Sequence, residues 1–264
     1  MTPTPSPDKT VTNPDELPFV APCRELDSSA PFRWLRLGWQ DMRRAPKQSL
    51  IYGGVVLLLS YVISLIAYEF GNIYLLLAML SGFIFLGPIM AIGLYSISCQ
   101  LQENRNPVLG YCLREGRRHL GNEMIFAMIL LIVFLVWARA ASMVHVFFPV
   151  KGHPELADLA LFLGIGSAVG TIFAAIIFCA SAFSLPMIMD RKVDMVTAVI
   201  TSVNAVLRNK KVMLIWAILI VLATLIGFAT AFIGLAILLP VIGHATWHAY
   251  QETIDASVWP RHDS

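Results

Sequence analysis

Forty consecutive residues, Val212 to Gln251, contain no Asp, Glu, Lys or Arg. Charge is scarce throughout: 14% of the 264 residues are charged, against roughly 25% in soluble domains. With 57% hydrophobic residues and a mean hydropathy of +0.71, a water-soluble fold is excluded. Cysteine is sparse too. Cys23, Cys99, Cys112 and Cys179 are scattered, with no C-x-x-C pair and no zinc-ligand spacing, and read as free thiols. The first 48 residues hold no apolar run long enough for the h-region of a secretory signal, so entry into the membrane is expected through the first span. A phosphate-binding P-loop, a G-x-S-x-G nucleophile elbow and the periodic arginines of a voltage sensor are all absent, which lowers the enzyme and voltage-gated readings. A net charge of +2 gives no basis for nucleic-acid binding.

What the chain does have is apolar length. As one helix, residues 212–251 would run roughly 60 Å, about twice a hydrocarbon core of roughly 30 Å, so the stretch is expected to fold back on itself. A tight turn near Gly227, Ala229, Ala231 and Gly234 gives a fifth span from Val212 to about Phe228 and a sixth from about Ala231 to Tyr250. Four earlier spans are expected at Leu50–Tyr68, Ile73–Leu101, Met124–Phe148 and Leu159–Met189. The expected fold is an all-α polytopic transmembrane bundle of about six spans with amphipathic surface helices on the cytoplasmic side. Residues 1–30, with six prolines among polar residues, read as a disordered tail. Residues 31–46 read as an amphipathic interfacial helix. Its Trp34, Leu35, Gly38, Trp39 and Met42 would face the headgroup boundary or, in the rival reading, a partner's groove, opposite Arg33, Arg36, Gln40 and Arg43. A membrane domain at 47–251 and a short cytoplasmic tail at 252–264 complete the layout.

The basic residues give this layout a direction. Residues 24–47, 102–122 and 190–211 carry fifteen Lys and Arg, whereas the connections at 69–72 and 149–157 carry one. The positive-inside rule then puts both termini and both long connections in the cytoplasm. The even spans share a proline near their cytoplasmic ends: Pro88 after Gly87, Pro186 and Pro240. Basic pairs precede the odd spans at Arg43-Arg44, Arg117-Arg118 and Lys210-Lys211, so the chain reads loosely as three copies of a two-helix unit. Chance recurrence of the Leu-Pro and Gly-Pro pairs is the competing explanation. The prolines and Gly87 are expected to kink helices or let neighbours approach closely.

Four strings carry a resemblance: Trp34-Leu35-Arg36-Leu37-Gly38-Trp39-Gln40-Asp41, Phe85-Leu86-Gly87-Pro88, Ser184-Leu185-Pro186-Met187 and Gly243-His244-Ala245-Thr246-Trp247-His248-Ala249-Tyr250. The chain resembles, over about residues 30–255, the bacterial predicted integral membrane proteins grouped as domain of unknown function 2189. The resemblance implies a multi-span protein of the bacterial inner membrane, with some family members labelled putative cytochrome c oxidase proteins. It supplies no catalytic residues.

Three groups of residues are candidates for chemistry. His244 and His248 stand four apart, so on a helix their imidazoles share a face and could hold a divalent metal ion or help position a haem. The competing reading makes them part of an interfacial belt with Trp247 and Tyr250, as Trp34 and Trp39 would be near the N-terminus. Arg139 is the basic residue deepest in an expected span. It lies sixteen residues from Glu123, roughly 24 Å along a helix, and Glu69 lies nineteen residues from Leu50, roughly 28 Å. Arg139 would snorkel to the headgroups, pair with Glu69, or form a solute or anion site. Asp190, Arg191, Lys192 and Asp194 read as a solvated helix boundary, with an ion-coupled carrier site as the alternative. No cofactor is predicted, and the oligomeric state is open. The leading functional expectation is a non-enzymatic accessory or assembly component of another membrane complex, such as a respiratory one. A small-solute transporter or channel with a polar mid-membrane cavity is the alternative, and metal or haem handling the second alternative.

Overall fold

The computed structural model of the protein describes residues 18–70, 90–110, 120–147 and 156–262. Residues 1–17 and most of the second expected span, including Gly87 and Pro88, lie outside the described residues. Eight helices are bounded at both ends within them: α1 Ala30–Arg44, α2 Pro46–Phe70, α3 Leu120–Phe147, α4 Leu156–Ser181, α5 Ser184–Asp190, α6 Met195–Arg208, α7 Lys210–Ala229 and α8 Leu235–Thr253. A further helical stretch covers 90–102. The protein is all-α: among the described residues the only extended pairings are isolated bridges from Cys23 to Ile254 and from Arg191 to Arg261.

Two kinds of helix result from two kinds of sequence. By length and apolarity, three helical segments of the described residues can cross a membrane: Pro46–Ile66, Gly164–Asp190 and Lys210–Ala229. Their outward side chains, such as Leu58, Leu65, Ile172, Ile176, Leu214 and Val221, stay exposed, as hydrocarbon-facing side chains do. α1 and α6 are short and two-faced instead. Pro31 sits in the first turn of α1, where a missing N–H costs nothing, and Arg43 and Arg44 lie in its last turn, where cations suit the helix dipole. Asp194 caps α6 by accepting the Val196 and Thr197 N–H groups.

The expected fold-back of 212–251 is present. α7 and α8 are joined through Thr230–Gly234, and Ala231 and Phe232 take the left-handed conformation, with φ of 51° and 68°. The nearby glycines serve closeness instead: a Cβ on Gly227 would collide with Leu235, and one on Gly234 would press on Gly227.

α8 is the central element. Gly38 of α1 packs on the backbone of Val241 and Ala245, and Gly53 of α2 packs on the carbonyl of Ala236. That carbonyl has no i+4 donor in its own helix, because the residue four along is Pro240. The glycine therefore lies where the proline has freed backbone. Pro186, by contrast, falls in the first turn of the short α5, where no such donor is lost. Pro186 and Pro240 thus occupy different local positions.

Three parts of the expected layout differ. The apolar face of α1 is not laid on lipid: Trp34, Gly38 and Met42 are buried inside the fold, and Trp34 meets Trp216 of α7 edge to face at 5.6 Å. Covering that face with the chain's own α7 and α8 leaves Phe32, Arg36, Trp39 and Arg43 outward. The tail assigned to 1–30 is anchored from Ala21, whose N–H donates to Thr201 Oγ1 at 3.1 Å. Much of 252–259 is packed as well. Ile254, Ala256 and Trp259 are buried, while the Arg24 N–H donates to Thr253 O and the Asp255 N–H to Pro22 O. Both end segments, α1, α5, α6 and the end of α8 thus build a compact head above the apolar helices.

Candidate functional site

The polar chemistry of the described residues concentrates where the second half of α8 enters this head. His244 is fully buried. Its Nε2 lies 2.9 Å from Ser49 Oγ on α2, and its Nδ1 lies 2.8 Å from Ser98 Oγ on the 90–102 helix. Ser49 already donates its hydroxyl proton to Ala45 O at 2.8 Å. It therefore accepts from Nε2–H, which leaves Nδ1 to accept from Ser98. One turn on, His248 Nε2 sits 2.7 Å from Asp41 Oδ2 on α1, with both side chains nearly buried. Trp247 Nε1–H donates to Gln102 Oε1 at 2.9 Å.

A second cluster centres on Asp190, at the end of α5. Its Oδ2 accepts the Tyr250 hydroxyl and the Arg191 Nε–H, each at 2.9 Å, and Arg261 Nε stands 3.7 Å from Oδ1. Arg191 also donates to Trp259 O at 2.9 Å, which fastens the C-terminal segment to the head. Glu252, near the end of α8, accepts the Trp34 Nε1–H at 2.8 Å and pairs with Arg33. Arg33 also pairs with Asp27, whose carboxyl is held down to about 2 by the Ser29 hydroxyl and then by Arg33 itself.

His244 and His248 share a helix as their spacing implies, but the structure sends them to separate partners, and both ring nitrogens of His244 are engaged. Among the described residues no group of three His, Cys, Asp or Glu side chains is placed to hold a metal ion. Of the four aromatic residues assigned to a headgroup belt, Trp39 is half exposed, whereas Trp34, Trp247 and Tyr250 are buried. Each of those three donates its polar hydrogen to another side chain of the protein, Glu252, Gln102 and Asp190 respectively, where a water or headgroup was expected. Arg139 and Glu69 are both exposed, and no ion pair joins them among the described residues. Asp190 is not a solvated boundary residue, being 8% exposed.

Sequence reasoning missed Asp41, Ser49, Ser98 and Gln102 as partners. The available signal was polarity at the edges of apolar runs: Ser49 lies beside the expected first span, and Ser96, Ser98 and Gln100 lie near the end of the second. The Ser–His distances match those of a nucleophile and its base. However, Ser49, Ser98 and His244 are each 0% exposed, so no substrate reaches them. The arrangement crosslinks α2, the 90–102 helix and α8 through one imidazole, while Asp41 and His248 tie α1 to the same helix. Beside it, an apolar cavity of about 210 Å³ lies between Tyr52, Leu94, Tyr95 and Pro240.

Residues 75–190 match the family model described as predicted integral membrane protein, domain of unknown function 2189. The matched stretch takes in the 90–102 helix, α3, α4 and α5, including Ser98 and Asp190. It ends before α8, so the strings around Trp34 and His244 that carried the wider resemblance lie outside it. Searches of curated proteins and of solved structures gave no match.

Proposed function

We propose that the protein is a non-enzymatic component of a larger membrane assembly, docking another membrane protein through α4. The observation that carries this reading is a face of small residues on α4. Ala160, Gly164, Ser167, Ala168, Thr171, Ala174 and Ala175 are all exposed and fall on one side at helical spacing. A Cβ on Gly164 would meet nothing within 4 Å, so none of the described helices occupies that groove. Small residues let helix backbones approach closely in lipid, where dispersion and interhelical contacts drive association. The Thr171 hydroxyl is satisfied by Ser167 O at 2.8 Å, so the face can dock without stranding it. The transporter alternative calls for a polar cavity at mid-membrane, whereas the two cavities described, of about 210 and 470 Å³, are lined mainly by apolar residues.

The charge count supports a bacterial inner-membrane placement with both end segments in the cytoplasm. The hydrogen bonds between residues 22–24 and 253–255 agree with this by holding the two segments on one side. The outward residues Phe32, Arg36, Trp39 and Arg43 of α1 lead through Lys47 to the exposed Leu50 and Ile51 of α2, which sets the headgroup level near Lys47–Leu50.

Affinity purification of the tagged full chain in mild detergent tests the role. A membrane polypeptide of fixed stoichiometry is expected with wild type and lost with Gly164→Leu/Ala168→Leu, while the variant's thermal stability is retained. A variant that keeps the partner, or a wild type that carries none, refutes α4 docking.

A further inference from the structure

A cavity of about 470 Å³ lies beneath the head, between the 90–102 helix, α3, α4 and α7. Phe126, Phe134, Phe178, Leu130 and Trp216 give it an apolar wall. Of its hydroxyl groups, Ser181 donates to Ile177 O at 2.7 Å and Thr246 to Ile242 O at 2.8 Å, so neither has a proton left to donate to a ligand. Tyr95 differs. It lines this cavity and its smaller neighbour and is 6% exposed, yet its hydroxyl has no hydrogen-bond partner among the described residues. The cavity is partly open at the protein surface, so it is reached from the lipid phase, and an apolar wall does not hold water. The group that fits is therefore a hydrocarbon chain bearing one hydrogen-bond acceptor.

Depth selects which one. Tyr95 lies seven residues from Gln102, the head's partner for Trp247, hence roughly 10 Å into the membrane side. Phe134 lies eight residues deeper along α3 than Phe126, roughly 12 Å, so the cavity runs along the membrane normal as an acyl chain does. At the head end of α7, Arg208, Lys210 and Lys211 are exposed and carry no ion pair among the described residues, which suits a phosphate at headgroup level. We propose that the protein binds one membrane phospholipid, with an acyl chain in this cavity and an ester carbonyl accepting the Tyr95 hydroxyl.

The reading is independent of α4 docking and is tested on the full chain alone. Protein exchanged into lipid-free detergent is analysed by native mass spectrometry and lipid extraction. One retained phospholipid per chain is expected. Tyr95→Phe should lower retention about five- to tenfold, the worth of one hydrogen bond, and the cavity-filling Leu130→Trp should abolish it. Both variants are compared at equal thermal stability, with Leu222→Trp on the lipid-facing side of α7 as a control that keeps the lipid. Wild type that retains no apolar molecule, or retains an isoprenoid in place of a phospholipid, overturns the proposal. Unchanged retention in Tyr95→Phe overturns the ester contact.

Discussion

Replacing Asp190 by Ala separates a buried network from a solvated boundary more sharply than any other single change. In the structure its carboxylate receives the Tyr250 hydroxyl and the Arg191 guanidinium at 2.9 Å, with Arg261 at 3.7 Å. Truncation strands the hydroxyl of Tyr250, which is 1% exposed, at a cost of about 1–3 kcal/mol. It also removes the carboxylate from an arginine whose side chain is 15% exposed. Breaking a buried pair costs about 3–5 kcal/mol, but Arg191 keeps the Trp259 carbonyl and some solvent, so the lower end applies. The sum is about 4 kcal/mol, or a fall of roughly 10 °C in the melting temperature for a domain of this size. Asp190→Asn, which still accepts from Tyr250, should lose about half as much. In a double-mutant cycle with Tyr250→Phe, the coupling should exceed about 1 kcal/mol. Thermal unfolding in a fixed detergent reads all five proteins. A shift for Asp190→Ala equivalent to less than about 0.5 kcal/mol, the usual effect of a surface change, would refute the network.

Three further outcomes follow from the same geometry. His244→Leu should destabilise by about 2 kcal/mol through two lost hydrogen bonds, and adding Ser98→Ala should recover part of it by removing the hydroxyl that has lost its acceptor, whereas Ser49 keeps its bond to Ala45 O. A His244→Leu/Ser98→Ala variant less stable than His244→Leu alone would contradict the assigned bonds. Gly53→Ala forces a Cβ into the Ala236 carbonyl and should cost about 1–3 kcal/mol, whereas Gly164→Ala should be neutral or stabilising by a few tenths to about 1 kcal/mol; equal effects would count against the α2–α8 contact. For Asp194, partial burial raises the carboxyl pKa, but the hydrogen bonds from Thr197 and Val196 outweigh it and hold the group below its ordinary 3.8. The cap's charged form is thus fully stabilising above that pH and is lost as pH falls through the lower folded value. Asp194→Ala should cost about 1 kcal/mol at neutral pH, with the gap to wild type closing in acid; a pH-independent gap would refute the ionised cap.

The membrane character of the protein was legible because it is a property of composition. A run of forty residues without Asp, Glu, Lys or Arg has to fold back, and the α7–α8 hairpin does so at the expected place. The roles of the polar residues were not legible, because they depend on long-range pairing. His244 and His248 look like ligands of one ion when only their spacing is visible, yet Ser49 and Ser98 come from residues 195 and 146 positions away. Trp34 and Trp247 have the amphipathic rings of headgroup anchors. What placed them in the interior were the acceptors Glu252 and Gln102, which no local pattern identifies. The same holds for α1: its periodicity named the face to be covered without saying whether lipid, a partner or α8 covers it.

The docking role stands or falls most directly on site-specific photocrosslinking in intact membranes. A photoreactive side chain at Ala168 on α4 is compared with one at Ile132 on α3 and one at Leu222 on α7. The account predicts one discrete polypeptide adduct from position 168 and lipid adducts alone from the other two. Lipid adducts alone from position 168, or the same protein adduct from all three, would contradict it.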